Sequence, residues 1–102
     1  MSVFVLPREI GQALTDLTGE PRNDVALVLL IRDYARNKLV EINAAIKQYE
    51  QKYGQSFEAY KQIWDSEDRQ EHYTFEAEQD YLDWEALVTR FRRLEANFAW
   101  LP

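Results

Sequence analysis

Three carboxylates spaced three or four residues apart are the nearest approach to a chemical site in this sequence. Glu76, Asp80 and Asp83 would share one face of a helix, and carboxylate oxygens can bind a divalent cation. The Glu-x-x-His pairs that complete di-iron sites in helical bundles do not occur. We therefore expect a solvated helix face with no metal or other cofactor, and a metal-dependent helical enzyme is the least favoured function class.

Nucleophilic catalysis has equally little support. The only histidine, His72, follows Glu71 in a charged segment, and the sequence nominates no second or third member of a catalytic triad. The chain has no cysteine, which excludes disulfides, thiolate nucleophiles and Cys-ligated metal centres. We expect a protein that is not an enzyme.

Acidic and aromatic residues are concentrated in the second half of the chain. Residues 1–40 are electrically neutral, whereas residues 41–102 hold thirteen acidic against seven basic side chains, which accounts for the net charge of −6. Aromatic side chains ringed by charge are typical of protein interfaces, and an acidic surface suits a basic protein partner. The other interpretation is that the aromatics pack the core and the charge maintains solubility. The predicted partner-binding residues are Trp64, Tyr73, Phe75, Asp80, Tyr81 and Trp84.

Apolar spacing predicts a mainly α-helical chain that positions these residues. The β-prone residues 2–6 are predicted to form a short strand, and residues 8–17 a short helix. An apolar stripe with steps of three and four then predicts a helix of about 45 Å. This helix should begin with Asn23 or Asp24 as its N-cap and stop at Gly54.

The second half is predicted to turn back along this long helix. Ser56 should cap a short helix, residues 65–74 should form a loop, and Thr74 should cap the last helix. Apolar residues of the last helix form a coiled-coil-like seam at Trp84, Leu87, Phe91, Leu94, Phe98 and Leu101. We expect a single domain over residues 1–102, built as a long antiparallel helical hairpin with the short helix at its turn.

Residues 25–31 are apolar on every side of the predicted long helix, and so short a chain has little core of its own. We therefore predict a homodimer, with residues 1–40 as the dimerisation module and residues 41–102 as the helical partner-binding part. The predicted dimer interface consists of Phe4, Val28, Leu29, Leu30 and Ile31. No apolar run approaches the ~20 residues of a membrane span, and no signal peptide is recognised, so we expect a cytoplasmic protein.

The first third of the chain carries a short strand ending at a proline, a helix, a turn and a second helix. The matching residues are Leu6-Pro7, Thr18-Gly19 and Arg32-Asp33-Tyr34. This pattern resembles the ribbon-helix-helix regulators of the MetJ and Arc type, which implies a dimer whose paired strands enter the DNA major groove. The groove-facing positions here are Val3 and Val5, which have no donors for base edges. Arg8 and Arg22 are the candidate phosphate contacts, and we predict weak or absent DNA binding by the protein alone.

A second pattern covers residues 52–87. It consists of Lys52-Tyr53-Gly54, Ser56-Phe57-Glu58, Asp80-Tyr81 and Trp84-Glu85. The pattern resembles small prokaryotic helical proteins, many of them type II antitoxins or accessory partners encoded beside a small toxin. The two resemblances together imply a dimeric antitoxin whose C-terminal part masks a small basic toxin. The alternative is a homo-oligomeric helical adaptor or structural protein with no toxin partner.

Overall fold

A proline and a glycine delimit the first helix. The computed structural model describes residues 5–67 and 69–101. Helix α1, Arg8–Thr18, begins directly after Pro7 and ends at Gly19, whose φ of 73° places it in the left-handed region that glycine adopts without strain. The helix predicted over residues 8–17 is confirmed.

A strand was predicted over residues 2–6, and the two residues of this range that the structure describes do not form one. Phe4 and the other residues up to position 4 lie outside the described residues, and Val5 and Leu6 have no regular secondary structure. A strand satisfies its backbone N–H and C=O groups by pairing with a second strand. The described part of this chain supplies no second strand with which Val5 and Leu6 could pair.

Helix α2, Asn23–Tyr53, is the longest element and confirms the predicted long helix. Its 31 residues span about 46 Å. Gly54 ends it with a φ of 68°, as expected. The N-cap is Arg22 rather than Asn23 or Asp24, and no side chain caps this end. The Asp24 carboxylate instead pairs with the Arg22 guanidinium at 2.8 Å.

Two predicted caps begin the remaining helices. Ser56 Oγ accepts a hydrogen bond from Ala59 N at 3.2 Å at the start of α3, Phe57–Ser66. Thr74 Oγ1 accepts one from Ala77 N at 3.0 Å at the start of α4, Phe75–Asn97. Each cap satisfies an amide that has no partner within its helix.

The segment between α3 and α4 is more ordered than the loop predicted over residues 65–74. Helix α3 continues to Ser66, and Gln70–Tyr73 form a 3₁₀ turn. His72, in that turn, is buried because its ring stacks on Trp64. The loop prediction was therefore wrong for most of the segment, since a single buried ring among charged neighbours leaves no apolar pattern to read.

Helices α2 and α4 pack side by side in opposite directions, and α1 packs on the first half of α2. The core lies where α3 meets the hairpin, which we call the closed end. Its buried members are Ile42, Ile46, Phe57, Tyr60 and Trp84. Of the predicted seam, Trp84, Leu87, Phe91 and Leu94 pack in this core, whereas Phe98 and Leu101 lie beyond the end of α4.

The molecule is elongated. It measures 59 × 27 × 22 Å, and its radius of gyration is 19.9 Å, against about 13 Å for a compact domain of this length. The opposite extremity, where α1 and the first half of α2 meet the end of α4, is here called the open end. No helix within the described ranges is long and apolar enough to cross a membrane.

Candidate protein-binding surfaces

Trp84, predicted to contact a partner, is the centre of the core. It is 0% exposed. Its ring stacks on Tyr49 and Tyr53, with centroids 5.8 and 5.6 Å away. The rings of Phe57 and Tyr60 lie at 5.2 and 5.3 Å. In this chain Trp84 therefore has a packing role, and a partner cannot reach it without disturbing the fold.

Asp80, also predicted to contact a partner, is mostly covered and bound by α2. Its Oδ2 accepts hydrogen bonds from Tyr53 Oη at 2.5 Å and from Lys52 Nζ at 2.6 Å. Lys52 Nζ also donates to Glu76 at 2.7 Å. Burial by itself raises the pKa of Asp80, but the hydrogen bonds from Lys52 and Tyr53 outweigh it and lower that pKa below its ordinary value. The carboxylate thus fastens α4 to α2.

Trp64 and Tyr81 form a stacked layer with His72 at the edge of the core. The Trp64 ring lies 4.3 Å from His72 and 4.6 Å from Tyr81, centroid to centroid, and is nearly parallel to both. Trp64 and Tyr81 are half-buried, and burial raises the pKa of the Tyr81 hydroxyl. Trp64 and Tyr81 thus pack beside the 3₁₀ turn while part of their surface remains exposed to solvent.

Tyr73 and Phe75 are the predicted partner-binding residues that project furthest into solvent. They are 67% and 82% exposed. Residues 65–85 around them hold nine carboxylates and one cation, Arg69. We call Tyr73 and Phe75, with the exposed carboxylates of Glu71, Glu76 and Glu78, the acidic-aromatic surface. It offers two apolar anchors beside these carboxylates, of which Glu76 is paired with Lys52 and Glu71 with Arg69.

The open end carries the second candidate surface. Among the predicted dimer residues, Val28, Leu29 and Leu30 are half-buried, and Ile31 is 40% exposed. Phe4 lies outside the described residues. A groove of about 410 Å³ runs between α2 and α4. This open-end groove is lined by Leu30, Ile31, Tyr34, Ala35, Lys38, Arg90, Leu94 and Phe98.

Most of the candidate metal ligands and candidate phosphate contacts in the described ranges already have partners. No group of three or more His, Asp or Glu side chains there is arranged to hold a metal ion. Of the candidates Glu76, Asp80 and Asp83, the first two bind Lys52 and the third accepts from Gln79. Of the candidate phosphate contacts, Arg8 is exposed and Arg22 is paired with Asp24.

Sequence reasoning missed the residues that join one helix to another. In the sequence Lys52 stands out only as part of a motif, whereas in the fold its Nζ and the neighbouring Tyr53 Oη both bind Asp80. Tyr34 and Phe98 were not assigned to a surface, although they line the open-end groove. The apolar seam of the last helix includes Phe98 and was the signal available for it. No known family model matches the chain, and no curated protein or solved structure is significantly similar to it.

Proposed function

We propose that this chain is a non-enzymatic binding protein that masks a small basic protein, as an antitoxin masks a toxin encoded beside it. The observation that carries the proposal is the acidic-aromatic surface, where Tyr73 and Phe75 are mostly exposed within a segment of nine carboxylates and one cation. Leaving such rings in water forgoes the free energy that their burial would contribute, about 1.5–3 kcal/mol for a Phe side chain. A partner that covers the two rings gains this free energy on binding.

The charge around these rings favours a basic partner. Complementary charge mainly raises the association rate and selects the partner, while buried aromatic anchors supply most of the affinity. Both roles can be filled by this surface, because its carboxylates are exposed to an approaching partner and its two aromatic rings can be buried by that partner. We expect the complex to form more slowly at high salt, since screening weakens the attraction.

The test is co-expression with the adjacent reading frame, followed by co-purification and measurement of the dissociation constant. Phe75→Ala should weaken the complex by about 2 kcal/mol or more if Phe75 is a central anchor. Tyr73→Ala should weaken it in the same direction. Val40→Ala is the matched control, because Val40 is an equally solvent-facing apolar residue on a different helix. Undiminished binding and neutralisation by both variants would refute this site.

We also propose that the chain self-associates through the open end. Support comes from its surface area of 7692 Å², against about 6000 Å² for a compact monomer of 12.1 kDa. Replacing Leu29 and Leu30 by Asp should give monomers or unfolded chain, because both side chains are half-buried. Ile31→Asp separates the two outcomes, since Ile31 is more exposed. Sedimentation of the unmodified chain as a stable monomer would exclude self-association.

The second candidate function is a homo-oligomeric adaptor with no toxin partner. The open-end groove favours it, because self-association there requires no other protein. A small basic protein encoded next to this chain and co-purifying with it would decide for the antitoxin. Oligomers that bind no such product would decide for the adaptor.

A further inference from the structure

The polar lining of the open-end groove is cationic. Its floor is apolar, and its charged lining residues are Lys38 and Arg90, with no carboxylate among the described residues that line it. Lys38 is partly neutralised by Glu41 at 3.1 Å, whereas Arg90 lies at the surface of α4. The groove therefore fits an apolar helix edge flanked by carboxylates.

The outer face of α1 has this composition. Ile10, Ala13 and Leu17 recur at steps of three and four and are exposed, Leu17 by 74%. Glu9 and Asp16 each directly precede an apolar member of this edge. Residues 9–20 contain three carboxylates and neither lysine nor arginine, and the cation of this helix is its first residue, Arg8. The exposed edge thus combines apolar and acidic residues. Leu14, four residues after Ile10 and three before Leu17, is buried beside this edge.

We propose that α1 of a second copy occupies the open-end groove, and that the exchange is reciprocal. The proposal rests on the self-association proposed above and names its surfaces. Both surfaces lie at the open end. A two-fold axis there would place the α1 edge of each copy in the groove of the other copy. The lengths agree, because α1 has 11 residues and spans about 16 Å. Residues 30–38 of the groove span about 12 Å along α2.

The chain exposes more surface than a compact monomer of its mass. A stable interface buries about 800 Å² on each partner. The chain's 7692 Å² exceeds the surface of a compact monomer by roughly 1700 Å². A reciprocal exchange would cover the exposed apolar residues of the α1 edge and the groove of each copy.

Charge reversal tests the proposed pairing in the full-length chain. Asp16→Lys alone and Arg90→Glu alone should each raise the dimer dissociation constant by about tenfold or more, because each dimer then contains two repulsive contacts. Mixing the two variants should form a heterodimer with near-original affinity, because both of its contacts are again attractive. Sedimentation equilibrium measures all three samples. Glu78→Lys, at the closed end, is the control and should leave the dimer unchanged.

A cross-link supplies the geometry. The chain has no cysteine, so a Leu17→Cys chain mixed with a Leu94→Cys chain should yield a disulfide-linked heterodimer. A Leu17→Cys chain mixed with a Leu82→Cys chain should not. A monomeric unmodified chain overturns both self-association and this inference. A dimer that resists charge reversal, or whose mixed variants neither associate nor cross-link at positions 17 and 94, overturns this inference alone.

Discussion

Asp80 receives two hydrogen bonds from consecutive residues of α2, Lys52 and Tyr53. Both favour the charged carboxylate, and together they outweigh the opposing effect of its burial. The same contacts raise the pKa values of Lys52 and Tyr53, for Lys52 chiefly through its hydrogen bond to Asp80 and for Tyr53 chiefly through burial. The three side chains thus fix the register of the hairpin near its turn.

The lowered pKa of Asp80 makes its contribution to stability depend on pH. Since the folded-state pKa lies below the ordinary value of 3.8, the contribution is present above that value and is lost as the pH falls through the folded pKa. We expect Asp80→Asn to be less stable than the unmodified chain at neutral pH, with a difference that shrinks in strong acid. Urea denaturation of both proteins across this range checks it. A difference that is constant with pH would contradict the assigned role.

Trp64 and Tyr81 should prove structural as well as partner-facing. Each is half-buried in the stack with His72. Trp64→Ala should therefore lower the free energy of unfolding by about 3 kcal/mol, the lower end of the range for buried aromatic residues. Phe75→Ala, which removes an exposed ring, should change it by about 0.5 kcal/mol or less. Thermal or urea denaturation separates the two. Equal stabilities would mean that the stack contributes nothing to the fold.

At the scale of the elements, the sharp reversal after α2 depends on Gly54. Its φ of 68° costs glycine little but strains an L-residue, and no atom lies within 4 Å of where a Cβ would be. Gly54→Ala should therefore lose about 1–2 kcal/mol of stability from backbone strain alone. Gly54→Asn should lose less, because Asn tolerates the left-handed region. An unchanged melting temperature for the Ala variant would contradict this explanation.

The elements that could be predicted from the sequence are those defined by local rules. Gly54 ended α2, Ser56 and Thr74 capped their helices, and three-and-four spacing marked the packed faces. The 3₁₀ turn could not be predicted, because its order comes from contact between His72 and Trp64, which lies on another element. Val5 and Leu6 of the predicted strand lack strand structure for a related reason, since a strand requires a partner that periodicity does not reveal.

The candidate surfaces followed the sequence less closely than the helices did. Composition identified an aromatic and acidic region, but residue type alone does not tell whether an aromatic side chain packs in the core or faces solvent. Trp84 is buried while Phe75 is exposed, and only the arrangement of α3 against the hairpin separates them. The open-end groove depends on two helices whose lining residues are about sixty positions apart in the chain, beyond the reach of local patterns.

At the scale of the whole molecule, charge is divided between the two ends. The acidic segment 65–85 lies at the closed end, while the end of α4 carries Arg90 and Arg93 towards the open end. Arg92, between them, pairs instead with Glu58 of α3. The longest dimension is 59 Å, several times the screening length of about 8 Å at physiological salt. Electrostatic attraction at one end is therefore nearly independent of the other.

Duplex DNA should bind weakly to this protein alone. The net charge is −6, and Arg22, one of the two candidate phosphate contacts, is already paired with Asp24. Because affinity for DNA comes largely from neutralised phosphates, with a log–log salt slope of about −0.9 per contact, so few contacts give little affinity. A gel-shift assay against the DNA upstream of the gene at physiological salt should show no discrete complex. Tight, sequence-specific binding would overturn this prediction.

The three tryptophans are distributed so that the protein carries its own fluorescent reporters. Trp84 is enclosed by aromatic rings, Trp64 is stacked at the closed end, and Trp100 is mostly exposed just after α4. Emission from Trp84 should be blue-shifted and should move to longer wavelength only on unfolding. Quenching by a dissolved quencher should instead select Trp100. A ligand that protects Trp100 from the quencher without altering the Trp84 emission is then bound at the open end, and no label is needed to locate it.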